Sequence, residues 1–314
     1  MYKKAITMLV CMCTLGALTN QLAAQPKKIK TIVVDAGHGG KDIGSHATYE
    51  NSLGSYEKNV TLAISQKLVA ELRKKLPDVK IVPTRTTDIF HSVKLKADIA
   101  NEAKGDLFIC IHADSGPLKS GKRQIGSKTV TRYNISYIKK GKKKIKVSTP
   151  YEVEIPIYET YKIPLTISGT AVYLFAPHKT DDKLDAIMHG DLATNAEDSA
   201  FNNFNFNSPE GRQIAQIYAK LYQEKSELIA TFINEEVQLT GRRALGVKQR
   251  QEGIRVLSAT QMPAILIETG FINNKDDEYY LNSEKGQQEL AEAITKAVIK
   301  YRSKIEAPKS IANK

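Results

Sequence analysis

Residues 31–40 read Thr-Ile-Val-Val-Asp-Ala-Gly-His-Gly-Gly, and the rest of the chain is read outward from them. The stretch opens with a short apolar run that reads as a buried strand. It closes in a turn where Gly37, Gly39 and Gly40 remove Cβ atoms, so the backbone can bend sharply and a ligand can come close. Asp35 and His38 stand where the strand stops. A histidine in an open turn at a strand's carboxyl end is well placed to hold a metal. Taken alone, the same residues also describe a tight turn with an incidental histidine.

The segments that follow alternate. After a polar loop over Lys41–Tyr56, Val60, Ile64, Leu68 and Leu72 fall at helical spacing and predict a helix from about Glu57 to Leu76. Glu57 falls in its first turn, where the helix dipole favours a carboxylate. A strand over Val79–Thr84, a helix over Val93–Ala103 and an apolar strand over Asp106–His112 come next. Strand, helix, strand, helix, strand is the pattern of an α/β fold, a mainly parallel sheet covered on both faces. Sites in such sheets gather outside the carboxyl ends of the strands, where both His38 and His112 lie.

Farther on, Gly169–Ala176 reads as a strand and 180–198 as loosely helical. Ser208 caps a helix from Pro209 to about Asn234, and 242–255 reads as basic and irregular. A last strand over Pro263–Ile267 runs into Glu268, and a final helix covers about Ser283 to Lys304. These elements form one domain over 25–306, followed by a frayed tail over 307–314.

Residues 117–168 break the alternation. From Pro117 to Pro150 there are eleven Lys or Arg and no acid. Tyr133, Ile135 and Tyr137 alternate on one side of Lys139–Lys144, and Ile145, Val147, Tyr151, Val153, Ile155 and Ile157 on the other. Period-two alternation about a glycine reads as a β-hairpin with a basic tip. It is either a solvated insert or an electrostatic contact with an anionic polymer or a partner.

Composition narrows the function classes. The chain has 314 residues and a formal charge of +12. It has no zinc-finger spacing and no known nucleic-acid motif, so nucleic acid ranks last among the partners that basic charge suggests. Residues 1–24 read as a signal peptide, with Lys3 and Lys4, an apolar stretch over Ala5–Leu18, and Ala23-Ala24 before the cut. The stretch is too short for a membrane span. Its removal takes two positive charges and no acid from the +12, leaving about +10. Cys11 and Cys13 fall within it and match no lipid-attachment pattern. Cys110, the one cysteine left, is expected to be a buried small residue, and stability must then come from the core.

Three strand ends thus carry His38, His112 and Glu268, and Glu57 heads a helix. Two imidazoles and a carboxylate leave zinc one open position for water. A second, unliganded glutamate can then take that water's proton.

The motifs, in order, are Asp35-Ala-Gly-His38-Gly-Gly, Glu57-Lys-Asn-Val-Thr-Leu, Ala100-Asn101, Ile111-His112-Ala113-Asp114 and Met262-Pro263-Ala-Ile-Leu-Ile-Glu268-Thr-Gly-Phe-Ile-Asn-Asn. Over residues 30 to about 302, apart from the basic insert, the chain resembles the zinc-dependent N-acetylmuramoyl-L-alanine amidases of the cell wall. The resemblance implies a mixed, mostly parallel six-stranded sheet between helices. It implies one zinc ion held by His38, Glu57 and His112, with Glu268 as the catalytic base. It also implies hydrolysis of the amide between N-acetylmuramic acid and L-alanine of the stem peptide, in cell-wall remodelling and daughter-cell separation.

The first motif has Ala36 where the family commonly has proline, Ile43-Gly44-Ser45 replaces Pro-Gly-Ala, and Lys96 stands where many relatives carry arginine. His46, His91, His178 and His189 match no ligand position and read as surface or loop residues. Asp35 is a candidate for orienting a ligand. Some relatives are held inactive by a helix over the zinc; residues 180–207 occupy the corresponding place, and Glu197 is either the occluding carboxylate or a solvent-facing acid on a loop. Peptidoglycan is the expected substrate and partner, a protein activator is a further candidate, and stable membrane insertion is not expected. The signal predicts export, and between periplasm and cell exterior the lack of a wall anchor favours the periplasm. Two other readings stay open: a zinc peptidase cutting within the stem peptide, and a degenerate fold that binds peptidoglycan or a partner without catalysis.

Overall fold

The computed structural model describes residues 28–175, 180–188, 208–250 and 254–307. The expected signal segment, the tail from residue 308, His178, His189 and Glu197 lie outside the described residues. In chain order the elements are β1 (Thr31–Ala36), α1 (Glu57–Lys75), β2 (Lys80–Pro83), α2 (Val93–Glu102), β3 (Leu107–Asp114), β4 (Lys119–Lys140), β5 (Lys143–Ile163) and β6 (Thr170–Phe175). Then come α3 (Thr180–Met188), α4 (Pro209–Leu239), β7 (Ala244–Arg250), α5 (Arg255–Ala259), β8 (Ala264–Phe271), α6 (Lys275–Asn282) and α7 (Glu284–Ile305).

Six strands form one sheet in the order β2-β1-β3-β8-β6-β7. Every neighbouring pair is parallel except β6 with β8. This is the mixed, mostly parallel α/β sheet expected from the sequence. Strand alternation sorts the core into two layers. Ile32, Val34, Ile109, Ile111, Ile265 and Ile267 face the larger cluster, which α1, α4 and α7 complete. Val33, Phe108, Cys110, Ala264 and Leu266 face the smaller one, completed by residues of α2 and α5. The helices on the larger side have 19, 31 and 22 residues, whereas α2 and α5 have 10 and 5. The functional residues emerge at the sheet's carboxyl edge on the thinner side.

Three features depart from the sequence reading, and a fourth lies outside it. The basic stretch expected to be irregular contains β7, an edge strand parallel to β6. Its Lys and Arg hide the apolar alternation, and charged side chains are what an edge strand carries against further pairing. Helix α4 runs to Leu239 rather than about Asn234. The segment before the last helix forms α6, and the two helices meet at Ser283, whose hydroxyl accepts from Gly286 N and caps α7. Last, Lys183 on α3 is 1% exposed. Its ammonium donates to Leu257 O (2.9 Å), Met262 O (3.0 Å), Thr260 Oγ1 (3.1 Å) and Thr260 O, pinning α3 to the end of α5. Burial pushes this ammonium down to about 7.

The insert is a two-stranded sheet of its own, β4 antiparallel to β5, with a register shift between Gln124 and Gly126 and a turn at Gly141 (φ +67°). It leaves the sheet directly after β3. Leu165 N donates to Asn273 O at 2.9 Å and Asn274 Nδ2 to Leu165 O at 2.7 Å, so its return leg is tied to the loop that follows β8.

Candidate metal centre

Parallel register sets the site. His112 on β3 pairs with Glu268 on β8, so both side chains leave the same face at one level. The ladder between β1 and β3 continues past Ala36 through Gly37 N, which donates to Ile111 O at 2.9 Å. Gly37 is thus the next residue along that level. A Cβ there would stand 2.6 Å from His112 Nε2. The room expected for a ligand's approach at Gly37 is filled by the His112 ring. Gly44 (φ +64°) plays the same part on the other side, since its Cβ would meet Glu57 Oε2 and the His38 ring at 2.6 Å.

Glu57, at 3% exposure, opens α1 but does not fold back on its own helix. Its backbone N donates to Ser45 O at 2.9 Å, and its Oε2 accepts from Ser45 N at 2.8 Å. Its Oε1 accepts from Ala113 N at 3.1 Å and lies 2.9 Å from His112 Nδ1 and 3.1 Å from His38 Nε2. Burial raises the Glu57 carboxyl, but the hydrogen bonds and charge of His112 and His38 outweigh it and hold it well below the usual range. Burial lowers the His38 imidazole, and its bonds to Glu57 and Asp42 reverse that and raise it.

These three side chains offer one ligand atom each within 4.8 Å of one another, and the described residues contain no other such group of three. Two imidazoles and a carboxylate converging on a small volume are a zinc-type donor set with room for a further ligand. The fit with an expected zinc ion is therefore good on the donor chemistry alone.

The supporting contacts are mostly ones that the sequence reading did not single out. His38 sits in the left-handed region (φ +59°), and its Nδ1 is 2.9 Å from Asp42 Oδ2. Asp42 therefore holds the His38 ring, a role a carboxylate commonly takes behind a ligating histidine. The spacing His-x-x-x-Asp was the available signal. Arg85, buried, donates from Nε to Ala36 O (3.1 Å) and from one terminal nitrogen to Gly37 O (2.9 Å) and Lys58 O (2.8 Å). It ties the turn before His38 to the first turn of α1. His91 is in a loop, as read, but lines the cleft. His46 stacks on Tyr56 at the surface.

Asp35, the candidate for orienting a ligand, sits on the face of Cys110 and His112. It is 1% exposed and bonds to Thr84 Oγ1 (2.5 Å), Cys110 Sγ (2.9 Å) and Lys96 Nζ (3.1 Å), with no hydrogen bond to His38, Glu57 or His112. Its side chain leaves the same sheet face as His112, two strand positions short of it, and lines the floor of the same cleft. Burial raises its carboxyl, and Lys96 with the bonds from Cys110 and Thr84 brings it below the ordinary value. Cys110 is fully buried, as expected, and burial pushes its thiol well up. Removing Asp35 would strand a buried ammonium. We expect Asp35→Ala to destabilise the fold by about 3–5 kcal/mol, read by denaturant unfolding. The sign in pH follows. A carboxyl lowered in the folded state stabilises it above the unfolded value of about 3.9 and loses that contribution as pH falls below it. Wild type should therefore lose more stability than Asp35→Asn on acidification through that window.

Glu268, at 5% exposure, lines an open cleft of about 460 Å³ together with His38, Glu57, His112 and Lys96. The structure thus brings His38, Glu57, His112 and Glu268 to one cleft.

Comparison with known proteins identifies the family of the chain. The family model described as N-acetylmuramoyl-L-alanine amidase matches residues 32–300. A protein from Haemophilus influenzae named as a probable N-acetylmuramoyl-L-alanine amidase AmiB is 28% identical over 273 residues, covering 87% of this chain and 52% of that protein. The Escherichia coli protein named N-acetylmuramoyl-L-alanine amidase AmiC is 26% identical, over 86% of this chain and 52% of its own length. The chain spans about half the length of these curated relatives. Among solved structures, an N-acetylmuramoyl-L-alanine amidase from Clostridium difficile superposes with a TM-score of 0.53 at 22% identity, over 88% of this chain and 97% of that one. That likeness is one of fold.

Proposed function

The chain belongs to the N-acetylmuramoyl-L-alanine amidase family, and from that premise we propose that it hydrolyses the amide between N-acetylmuramic acid and the L-alanine of the peptidoglycan stem peptide. The observation that carries the reading is the convergence of His38, Glu57 and His112, with Glu268 on the adjacent strand at the level of His112.

His38 Nε2, Glu57 Oε1 and His112 Nδ1 are the atoms that would hold zinc. Zinc bound there supplies Lewis acidity, which lowers the pKa of water towards about 7 and polarises the scissile carbonyl. Glu268 accepts the water's proton and delivers it to the departing alanine nitrogen. Asp42 keeps the His38 ring aimed into the site, and Arg85 with Gly37 keeps the turn and the His112 ring in register. The open cleft admits a substrate with a bulky sugar on one side and a peptide on the other.

Export, supported by the charge and hydropathy pattern of residues 1–24, would place the enzyme with its substrate, in wall remodelling and daughter-cell separation. Sequencing the amino terminus of the secreted protein checks the cut before Gln25.

The test is to incubate purified protein with soluble muropeptides, with and without chelator, and weigh the products. Release of an intact stem peptide with a free L-alanine amine, lost on chelation and restored by zinc, is the expected result. Cuts within the stem peptide would mark a peptidase instead, and no product would mark a non-catalytic binder. Separately, Asp42→Ala should weaken zinc binding by about ten- to a hundredfold in competition with a chelating dye. An unchanged affinity would remove Asp42 from the site.

A further inference from the structure

The β4–β5 ribbon takes no part in the chemistry above, yet it is the largest departure from the domain's layered plan. Its 21-residue return strand at about 3.3 Å per residue reaches about 70 Å. The outer part, 132–151, holds seven basic residues and no acid. The pairings assign side chains to faces. Tyr133 with Pro150, Ile135 with Ser148, and Tyr137 with Lys146 lie on one face. Arg132 with Tyr151, Ile138 with Ile145, and Lys140 with Lys143 lie on the other. Both faces therefore mix cations with uncovered rings or aliphatic groups, and Tyr133 and Tyr137 are 61% and 65% exposed.

An isolated two-stranded hairpin is only marginally stable in water, so a ribbon this long with apolar groups on both faces is built to be covered. A second copy is disfavoured because two tips of seven positive charges repel. A bilayer interior is disfavoured because lysines ring the turn that would enter first, each costly to bury in hydrocarbon. A two-stranded ribbon this long suits an extended ligand met along its length. Uncovered tyrosine rings can stack on the C–H faces of sugars, with the hydroxyl left in water. Lysines between them pair with carboxylates.

The root gives the direction. β4 begins five residues after Asp114, and Arg123 at the base is bonded to Glu159 (2.8 Å) and Glu50 (2.5 Å), the latter in the loop that leads to Glu57. A polymer lying on the ribbon therefore runs towards the cleft.

We propose that the β4–β5 ribbon is a second binding site for the polymer itself, a glycan strand with pendant carboxylate-bearing peptides, and that it holds insoluble peptidoglycan beside the metal centre. The proposal rests on the amidase reading for the identity of the polymer.

Two full-length variants test it: one with Lys139, Lys140, Lys142, Lys143, Lys144 and Lys146 changed to Gln, the other Tyr133→Ser with Tyr137→Ser. Each is measured for sedimentation with purified insoluble peptidoglycan at low and high salt, and for hydrolysis of a soluble monomeric muropeptide. The lysine variant should bind the polymer at least about tenfold more weakly, since six exposed pairings are lost, and should lose the salt dependence of wild type. The tyrosine variant should bind more weakly with the salt dependence kept. Both should hydrolyse the soluble muropeptide at the wild-type rate, which also reports an intact domain, and should show a raised KM on the insoluble polymer. Unchanged sedimentation of both variants overturns the proposal. So does wild-type sedimentation with phosphatidylglycerol vesicles but not with peptidoglycan, or sedimentation only when an extract protein is added. A wild type that sediments with tip dependence but cleaves neither substrate sinks the amidase reading and leaves the polymer site standing.

Discussion

Changing Glu268 to Gln is expected to lower turnover by about 10²- to 10⁴-fold while leaving bound zinc unchanged. Glutamine keeps the shape and the burial of the side chain on β8, so the cleft and the β3–β8 ladder should persist. What it loses is the capacity to take a proton, and a positioned general base contributes a rate factor of that size. Glu268 lies outside the group of possible ligands formed by His38, Glu57 and His112, so the expected effects on rate and on metal content are separable. The measurement is the initial rate of stem-peptide release together with metal content per chain. A variant that lost its zinc would mark Glu268 as a ligand, and a variant with an unchanged rate would end its candidacy as the base.

Glu57→Ala should be as damaging by a different route. The Glu57 carboxylate is the hub of the site, accepting from Ser45 N and Ala113 N while lying within 3.1 Å of both imidazoles. Alanine removes one donor atom and also releases the loop at Ser45 from the start of β3's terminal turn. Loss of a residue merely supporting a ligand costs about ten- to a hundredfold in metal affinity, so loss of this residue should cost more. Zinc should fall to trace levels after dialysis, and amide hydrolysis to background at ordinary zinc concentrations. Thermal unfolding with and without added zinc provides an independent readout, because a ligand that binds only the native state raises its stability. Wild type should gain a zinc-dependent shift, and Glu57→Ala should not. A full shift in the variant would remove Glu57 from the ligand set.

Much of this was legible in the residues. The apolar runs at 31–34, 107–111 and 264–267 read as strands buried on both faces, and they are. Each ended in a residue type suited to metal or proton chemistry, and the hairpin announced itself through alternation about Gly141. These are local patterns, carried by residues close in sequence.

The rest depended on register and packing. Nothing near Gly37 says that its missing Cβ makes room for a ring 75 positions on; the ladder that sets β1 beside β3 does. Asp35 stands three residues before His38, but it is Asp42 that bonds the His38 ring, while strand alternation sets Asp35 on the face of Cys110 and His112, bonded to Lys96, Thr84 and Cys110. Basic composition concealed β7, since an edge strand needs little apolar pattern to pair on one side. Nothing in the loosely helical pattern of 180–198 marks Lys183, and carbonyls contributed by α5 and the turn after it bury its ammonium. Sequence alone determined which segments are strands and helices and which side chains could do chemistry, because periodicity and residue type act over a few residues. Only the tertiary structure decided which of those side chains meet, because strand register acts between residues that the chain itself keeps far apart.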